Sequence, residues 1–292
     1  MIRPSLGFKY TVPRSHKHIR LRERKAMTIG VGFNCKNGVV FCSDSQITVA
    51  GGLKYNEKKI LTIEQGDHSL AFCYAGSPEI MKLFYEKMSE EFFCYTQDLY
   101  ILEPFQTGSY WNETVRGKAE QALQEIYKKH GKSRQLELLF ASYSKNFGVS
   151  FYRASMTLIR QAALAEAIGV GDSSILRFLA DLFVRSDMSI QQALVLGCYM
   201  VAKAKTYIDG VGGPTQAFFM TDSGKMRSMQ MDVWEEPSTL LSVESGLSDL
   251  MYAVTKENKS REELNIALDK FRHSLDVSWP WAMEYSDPEY FS

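Results

Sequence analysis

The chain has 292 residues, of which 45% are hydrophobic and 23% charged, and its formal net charge is zero. These values are ordinary for a soluble globular protein, and the chain is long enough to bury a sizeable core in one domain or two. No apolar run reaches about 18 residues, so a transmembrane span is excluded, and no apolar signal core at the N-terminus indicates secretion.

The positive charge is concentrated at the start of the chain. Residues 1–26 hold eight Lys or Arg against Glu23 alone, which leaves the remaining 26 basic and 33 acidic residues with a net charge of about −7. Two interpretations stay open: a disordered basic extension, or translation that begins at Met27, with Met27 removed before the small residue Thr28. A nucleic-acid arm is a third interpretation, but no aromatic interleaving supports it, and no nucleic-acid partner is predicted.

The cysteines and histidines favour neither disulfides nor metal binding. Five cysteines, an odd number, lie in apolar patterns, which is typical of reduced, buried thiols in a cytosolic protein. Apart from His16 and His18 the histidines lack metal-ligand spacing. We therefore predict no metal and no cofactor.

The stretch from Met27 to Ile60 predicts two strands joined at Lys36-Asn37-Gly38, with a third strand beginning near Lys59. In the first strand one face is apolar and the other, headed by Thr28, is small and polar. Asp44 ends the second strand. A hydroxyl, a carboxylate and an amine are therefore expected to meet at neighbouring strand ends.

Periodicity and capping signals predict the later elements, including capping boxes formed by Ser189 with Gln192 and by Ser260 with Glu263. In chain order these are a strand at Ser69–Ala75, a helix from Ser77 toward Tyr95, a loop from about Thr96 to Trp111, a helix at Asn112–His130, strands at Gln135–Ser142, Gly148–Ala154 and Ala162–Val170, helices after Asp172 and Ser189, strands at Thr215–Thr221 and Lys225–Gln230, and helical structure from Leu240 onward.

This order predicts an α+β protein with two antiparallel sheets stacked face to face and helices outside. We expect three regions: a basic extension at 1–26, a main domain at 27–235, and a helical and aromatic C-terminal extension at 236–292. Taken singly, Thr28, Asp44 and Lys59 have ordinary structural explanations. Their spacing within one short window favours a site.

The segment Asp44-Ser45-Gln46-Ile47-Thr48 and the pair Lys58-Lys59 carry a family resemblance. With them the stretch resembles a proteasome-type β subunit of the N-terminal-nucleophile hydrolase superfamily, and the bacterial two-component proteasome-like peptidase matches particularly well. The resemblance implies a four-layer αββα sandwich. It also implies that Thr28 is the nucleophile, with its own α-amino group as base, and that Asp44, Lys59 and Asp209 support it.

The resemblance further implies an oxyanion donor at the backbone N–H of Cys73 and an apolar substrate pocket lined by Ile47, Ala71 and Ala75. Three departures count against full activity. Val170 and Gly212 stand where the family has serines, and Cys73 stands where it usually has glycine. Met27 is also not the glycine after which family precursors cut themselves.

The leading hypothesis is a cytoplasmic threonine-type peptidase that cleaves peptide or amide bonds in peptide or protein substrates. It would assemble as a homo-oligomer, and whether an ATPase is its partner stays open. The alternative is a catalytically silent relative that serves as a ring-forming or interaction subunit.

Overall fold

The computed structural model describes residues 28–48, 52–102, 108–131, 135–169, 173–231, 238–256 and 260–284. The basic stretch 1–26, Met27 and Val170 lie outside the described residues.

Twelve strands and six helices make up the described chain. In order, the strands are β1 (Ile29–Cys35), β2 (Gly38–Ser43), β3 (Gln46–Thr48), β4 (Lys54–Asn56), β5 (Ile60–Gln65), β6 (His68–Gly76), β7 (Leu136–Ser144), β8 (Gly148–Ser155), β9 (Leu158–Gln161), β10 (Ala165–Gly169), β11 (Thr215–Thr221) and β12 (Met226–Met231). The helices are α1 (Pro78–Leu102), α2 (Gly108–His130), α3 (Ser173–Phe183), α4 (Ile190–Tyr207), α5 (Ser238–Thr255) and α6 (Arg261–Glu284).

Ten of the strands form two antiparallel sheets of five. The first has the order β10-β1-β2-β11-β12 and the second β5-β6-β7-β8-β9, while β3 and β4 pair separately. The predicted β1–β2 hairpin is confirmed, with Lys36 and Asn37 in the turn. Gly38 then opens β2 at φ +148°, where a Cβ would lie 2.1 Å from the Met220 carbonyl oxygen of β11. The glycine is needed for this close approach.

Three apolar clusters separate four layers. One lies between the second sheet and the pair α1 and α2, and includes Phe84 and Trp111. The second lies between the sheets, where the rings of Phe41 and Phe218 stack with centroids 5.8 Å apart. The third packs α3 and α4 on the first sheet, and α4 begins with the predicted capping box of Ser189. The predicted αββα sandwich is confirmed.

Two element predictions were wrong in their bounds. The predicted loop from Thr96 is helical as far as Leu102, because no Gly or Pro interrupts α1 before Pro104. The predicted strand over 162–170 begins later than expected, because residues 162–164 connect β9 of the second sheet to β10 of the first, and β10 begins only at Ala165. Sequence periodicity could not separate the turn after β9 from the strand that follows it.

The C-terminal helices α5 and α6 pack against each other. The predicted capping box at the start of α6 is present, since the Glu263 N–H donates to Ser260 Oγ at 3.1 Å and the Ser260 N–H donates to Glu263 Oε2 at 3.1 Å. An ion pair between Lys203 of α4 and Glu244 of α5 connects this hairpin to the sandwich.

Candidate active site

The ends of β1 and β2 bring Thr28 and Asp44 together. The register pairs Gly30 with Ser43, so the next residue on each strand end, Ile29 and Asp44, face each other. The Asp44 N–H donates to the Ile29 carbonyl at 3.3 Å, and the Ile29 N–H donates to Asp44 Oδ1 at 3.0 Å. The carboxylate is therefore tied to the peptide unit that immediately follows Thr28.

Lys59 completes a buried ion pair with the same carboxylate. Its Nζ lies 2.7 Å from Asp44 Oδ1, and both side chains are 0% exposed. The ammonium also donates to the Gln46 carbonyl at 2.7 Å, and Asp44 Oδ2 accepts from the Gly212 N–H at 3.1 Å. Both carboxylate oxygens thus have partners, as a buried charge requires.

Hydrogen bonds from the main chain and from the side-chain amide of Gln216 fix Lys59 just before β5. The Lys59 N–H donates to Gln216 Oε1 at 2.8 Å, and Gln216 Nε2 donates to the Glu57 carbonyl at 2.7 Å. The Lys59 carbonyl accepts from the Tyr74 N–H at 3.1 Å. Gln216 was missed from the sequence, because a glutamine in a predicted strand carries no signal of such a contact.

Burial acts on both members of the ion pair. It lowers the pKa of Lys59 below its ordinary value, and the neighbouring Asp44 carboxylate opposes that shift only in part. Burial likewise raises the pKa of Asp44, opposed by Lys59 and by the N–H donors of Ile29 and Gly212. The free energy that separates the charged pair from the neutral pair is thereby reduced.

Thr28 is 0% exposed, and its hydroxyl has no hydrogen-bond partner among the described residues. Gly169 covers its carbonyl: at φ +113°, a Cβ on Gly169 would lie 1.7 Å from the Thr28 oxygen. By the two-residue period of a strand Thr28 shares a face with Gly30, whose Cβ would point at Cys73 Sγ, 2.8 Å away. This is the face toward the second sheet.

Cys73 lies on the face of the second sheet toward β1, close enough for the charge of Lys59 to affect its pKa. Burial raises the pKa of the Cys73 thiol to about 12, and the Lys59 ammonium is the main opposing influence. Thr28, Asp44, Lys59 and the side chain of Cys73 therefore surround one buried region between the two sheets.

The backbone N–H of Cys73 is directed elsewhere. Bonds from Ser77 N–H to the Gln135 carbonyl and from Lys145 N–H to the Asp67 carbonyl set the phase of the β6–β7 ladder. The odd-numbered residues of β6 bond to β7 in this phase, and Cys73 faces Leu139. Its N–H is thus paired within the sheet and is not a free donor for an oxyanion.

The loop after α4 approaches the site through its backbone. The carbonyl of Gly212 accepts from the N–H groups of Ser45 and Gln46 at 3.3 and 3.0 Å, and the Gly210 carbonyl accepts from Gln46 Nε2 at 3.0 Å. The Asp209 side chain is exposed, with no hydrogen bond or ion pair to any residue that the structure describes. Its supporting role stays a prediction.

Gln46 occupies the space where a side chain at position 212 would stand. A Cβ on Gly212 would lie 2.8 Å from Gln46 Oε1. Val170, another departure from the family pattern, lies outside the described residues.

The three predicted pocket residues, Ile47, Ala71 and Ala75, are at most 2% exposed. Ala71 and Ala75 belong to the core between the sheets. A cavity of about 280 Å³ does adjoin the site, and it is bounded by Ser45 and Gln216. A larger one, about 580 Å³, lies along β10. Neither is lined by the three predicted residues.

In the parts of the chain with described side chains, no group of three or more His, Cys, Asp or Glu is placed to hold a metal ion. Among the described helices, none has the length and apolar character that a membrane span requires.

Comparison with known proteins identifies the family. A model described as "Proteasome subunit" matches residues 24–214. The structure of Anbu from Hyphomicrobium sp. strain MC1 superposes with a TM-score of 0.64 at 16% identity, over 80% of this chain and 99% of that one. Anbu (ancestral beta-subunit) from Yersinia bercovieri gives 0.64 at 17% identity, over 80% and 100%. No curated protein matches the sequence. Since the family match spans more than half of its residues, the chain belongs to the proteasome subunit family.

Proposed function

We propose that this protein is a threonine-type hydrolase of the N-terminal-nucleophile class, which cleaves peptide or amide bonds with the Thr28 hydroxyl. One observation carries the proposal: the buried Asp44–Lys59 pair is hydrogen-bonded to the N–H of Ile29, directly beside Thr28. An ion pair at this depth is costly to bury and is by itself weak evidence for a stabilising role, which favours a role in the chemistry.

The chemistry follows from the amine that Thr28 would carry at a free N-terminus. An α-amino group has an ordinary pKa of about 7.7–8.0, close to the pH at which a general base works best. The Lys59 ammonium lowers this value further by repulsion and favours the neutral amine. That amine takes the proton of the Thr28 hydroxyl as the oxygen attacks the carbonyl, and gives it to the departing amine as the C–N bond breaks. Water then hydrolyses the ester on Thr28, while Asp44 holds Lys59 in place.

The proposal requires the bond between Met27 and Thr28 to be absent in the working protein. Initiation at Met27 followed by removal of that methionine meets this requirement, and so does cleavage of a longer chain. Either event creates the α-amino group beside Ile29. The Thr28 hydroxyl has no hydrogen-bond partner among the described residues, which is compatible with this proposal.

A catalytically silent, ring-forming subunit is the second candidate. The paired N–H of Cys73, the exposed Asp209 and the glycine at position 212 favour it. Loss of one oxyanion donor alone typically costs about 10²–10³ in rate. Both candidates share the buried ion pair, so the pair alone does not separate them.

Hydrolysis assays with matched variants test the proposal. Fluorogenic peptides that differ in the residue before the scissile bond are incubated with the protein and with its Thr28→Ala, Lys59→Met and Lys58→Met variants. Lys58 is exposed and adjoins Lys59, so it controls for the loss of one lysine. The proposal predicts turnover that Thr28→Ala and Lys59→Met abolish and Lys58→Met leaves intact. Turnover that survives in Thr28→Ala would refute it.

Assembly and location belong to the same proposal. We expect copies of the chain to associate in a ring and to act on peptide or protein substrates in the cytoplasm. Co-purification would identify an ATPase partner. Native mass spectrometry of the purified protein would give the number of copies directly, and a monomer at micromolar concentration would contradict the expected ring.

A further inference from the structure

A carboxylate of the second sheet reaches the first sheet beside Thr28. The Gly169 N–H, at the end of β10, donates to Glu137 Oε2 of β7 at 3.0 Å. Glu137 lies opposite Ala75 of β6, and side chains that are opposite each other in a ladder share a face of the sheet. Because Ala75 belongs to the core between the sheets, Glu137 also projects toward the first sheet. The register of β6 and β7 therefore brings this carboxylate to Gly169.

Gly169 can make this bond because its N–H points away from β1. The bond from the Asn34 N–H to the Leu164 carbonyl at 2.9 Å sets the phase of the β1–β10 ladder, in which Gly169 lies opposite Ile29. Even-numbered residues of β10 bond to β1 in this phase, so the N–H groups of the odd-numbered residues are directed outward. Glu137 Oε2 thus accepts from a donor that the first sheet leaves open.

Gly169 in turn contacts Thr28. Its φ is +113°, which favours glycine, and a Cβ there would lie 1.7 Å from the Thr28 carbonyl oxygen and 3.1 Å from Ile29 Cα. The backbone of Gly169 therefore packs directly on the peptide unit that follows Thr28. Because an interior packed this closely transmits strain, a displacement of Gly169 also displaces Thr28.

Arg153 lies on the other side of the carboxylate. Its Nη2 is 4.0 Å from Glu137 Oε2, and its Nη1 donates to Glu166 Oε2 at 3.1 Å. The side chains of Arg153 and Glu137 are 24% and 34% exposed. A long, partly solvated ion pair contributes little by itself. The bond from the Gly169 N–H is therefore the contact on which a role for Glu137 depends.

We propose that Glu137 is a positioning residue: by holding Gly169, it keeps the backbone of Thr28 in place for the attack of the Thr28 hydroxyl. The inference rests on the proposed hydrolase function, and Glu137 acts through Gly169 rather than on the reacting atoms. A misplacement of about 1 Å at a reacting group can cost about 10²-fold in rate. Loss of the acceptor should lower kcat and leave KM nearly unchanged, because an interaction that counts only in the transition state is removed.

Two substitutions of Glu137 separate the hydrogen bond from the charge. Glu137→Gln and Glu137→Met both remove the charge and keep the length of the side chain, but only glutamine retains an oxygen that can accept from the Gly169 N–H. The control is Glu91→Met, which removes a carboxylate of similar exposure, 31%, from α1. The fluorogenic peptides give kcat and KM, and thermal unfolding establishes that each variant is folded.

We expect Glu137→Met to lower kcat by about 10- to 100-fold and to keep KM within about threefold of its original value. Glu137→Gln should retain most of the original kcat, and Glu91→Met should change neither constant. Equal kcat values for folded Glu137→Gln and Glu137→Met would overturn the proposal, and so would an unchanged kcat in Glu137→Met.

Residue-resolved amide exchange tests the same contact without hydrolysis. The outward N–H groups of Ala165 and Ala167 have the ladder phase of Gly169, and no residue that the structure describes accepts from them. Gly169 should therefore exchange at least about tenfold more slowly than these two alanines, and Glu137→Met should abolish the difference. Equal exchange at the three positions of the unaltered protein would overturn the proposal even if Glu137→Met does not fold. Protection of Gly169 in a protein that hydrolyses no peptide would support the contact and count against the proposed function alone.

Discussion

Replacing Lys59 with methionine is expected to destabilise the fold by about 3–5 kcal/mol, the usual cost of leaving one member of a buried ion pair without its partner. Both Lys59 and Asp44 are fully buried, so water does not replace the lost ammonium. Methionine fills a similar volume, so little of the loss would come from a cavity. At roughly 2–4 °C per kcal/mol for chains of about this size, the melting temperature should fall by roughly 6–20 °C.

Urea unfolding followed by circular dichroism measures the loss. The control is Lys58→Met, which alters an exposed lysine and should change stability by less than about 0.5 kcal/mol. Adding Asp44→Asn to Lys59→Met should restore much of the loss, because it removes the uncompensated charge, and we expect a coupling energy of about 1–3 kcal/mol. Equal losses for the two lysine variants, or strictly additive effects of the two site mutations, would refute the reasoning.

The pH dependence of Lys59→Met follows from the direction of the Asp44 pKa. Burial raises that pKa in the folded state, and losing Lys59 removes the main influence that lowers it. The folded variant therefore holds a proton that the unfolded chain has lost above its ordinary pKa, so its stability falls as the pH rises above about 3.9. The difference from the unaltered protein should be smaller at acidic than at neutral pH, and a difference independent of pH would contradict a buried, unpaired carboxylate.

Three further predictions concern the surroundings of the pair. Burial raises the pKa of the Cys73 thiol to about 12, so above about pH 9 the folded state binds more protons than the unfolded one. Stability should therefore fall there by up to about 1.4 kcal/mol per pH unit, and Cys73→Ala should lack this contribution when its stability is measured over the same pH range. Gly169→Ala should be strongly destabilising because its Cβ would overlap the Thr28 carbonyl oxygen. Gly117→Ala, in open space on α2, should instead stabilise by up to about 1 kcal/mol, and similar melting temperatures for the two variants would exclude the close approach at Gly169. Gly212→Ser should cost little stability, since the atom nearest to the new Cβ, Gln46 Oε1 at 2.8 Å, is the end of a flexible side chain that can turn away, and a large fall in the urea midpoint would contradict this.

Much of the fold follows from local sequence signals. The Asn37-Gly38 turn and the capping boxes of α4 and α6 mark where elements begin and end, and the order of elements indicates two stacked sheets. The predicted loop begins at Thr96, whereas α1 continues to Leu102, because no Gly or Pro interrupts the chain before Pro104. Helix ends without a glycine or proline depend on tertiary packing, which a sequence does not display.

The site was predictable in part. Spacing was sufficient to place Asp44, because it stands at a strand end whose register the β1–β2 hairpin fixes. Lys59 precedes β5 of the other sheet, so its contact with Asp44 depends on how the two sheets stack. Gln216 supports Lys59 from a strand more than 150 positions away, and no local pattern reports such a contact. The phase of the β6–β7 ladder, which directs the Cys73 N–H toward Leu139, also depends on pairing between distant segments.

The most direct test of the central claim is peptide mapping by mass spectrometry after treatment with a threonine-directed covalent electrophile, because it needs neither a known substrate nor a partner. The account predicts one adduct, on a Thr28 that carries a free α-amino group, and its loss in Thr28→Ala. An N-terminus that still precedes Thr28 together with an unmodified Thr28 hydroxyl would contradict the enzymatic account and favour the silent subunit.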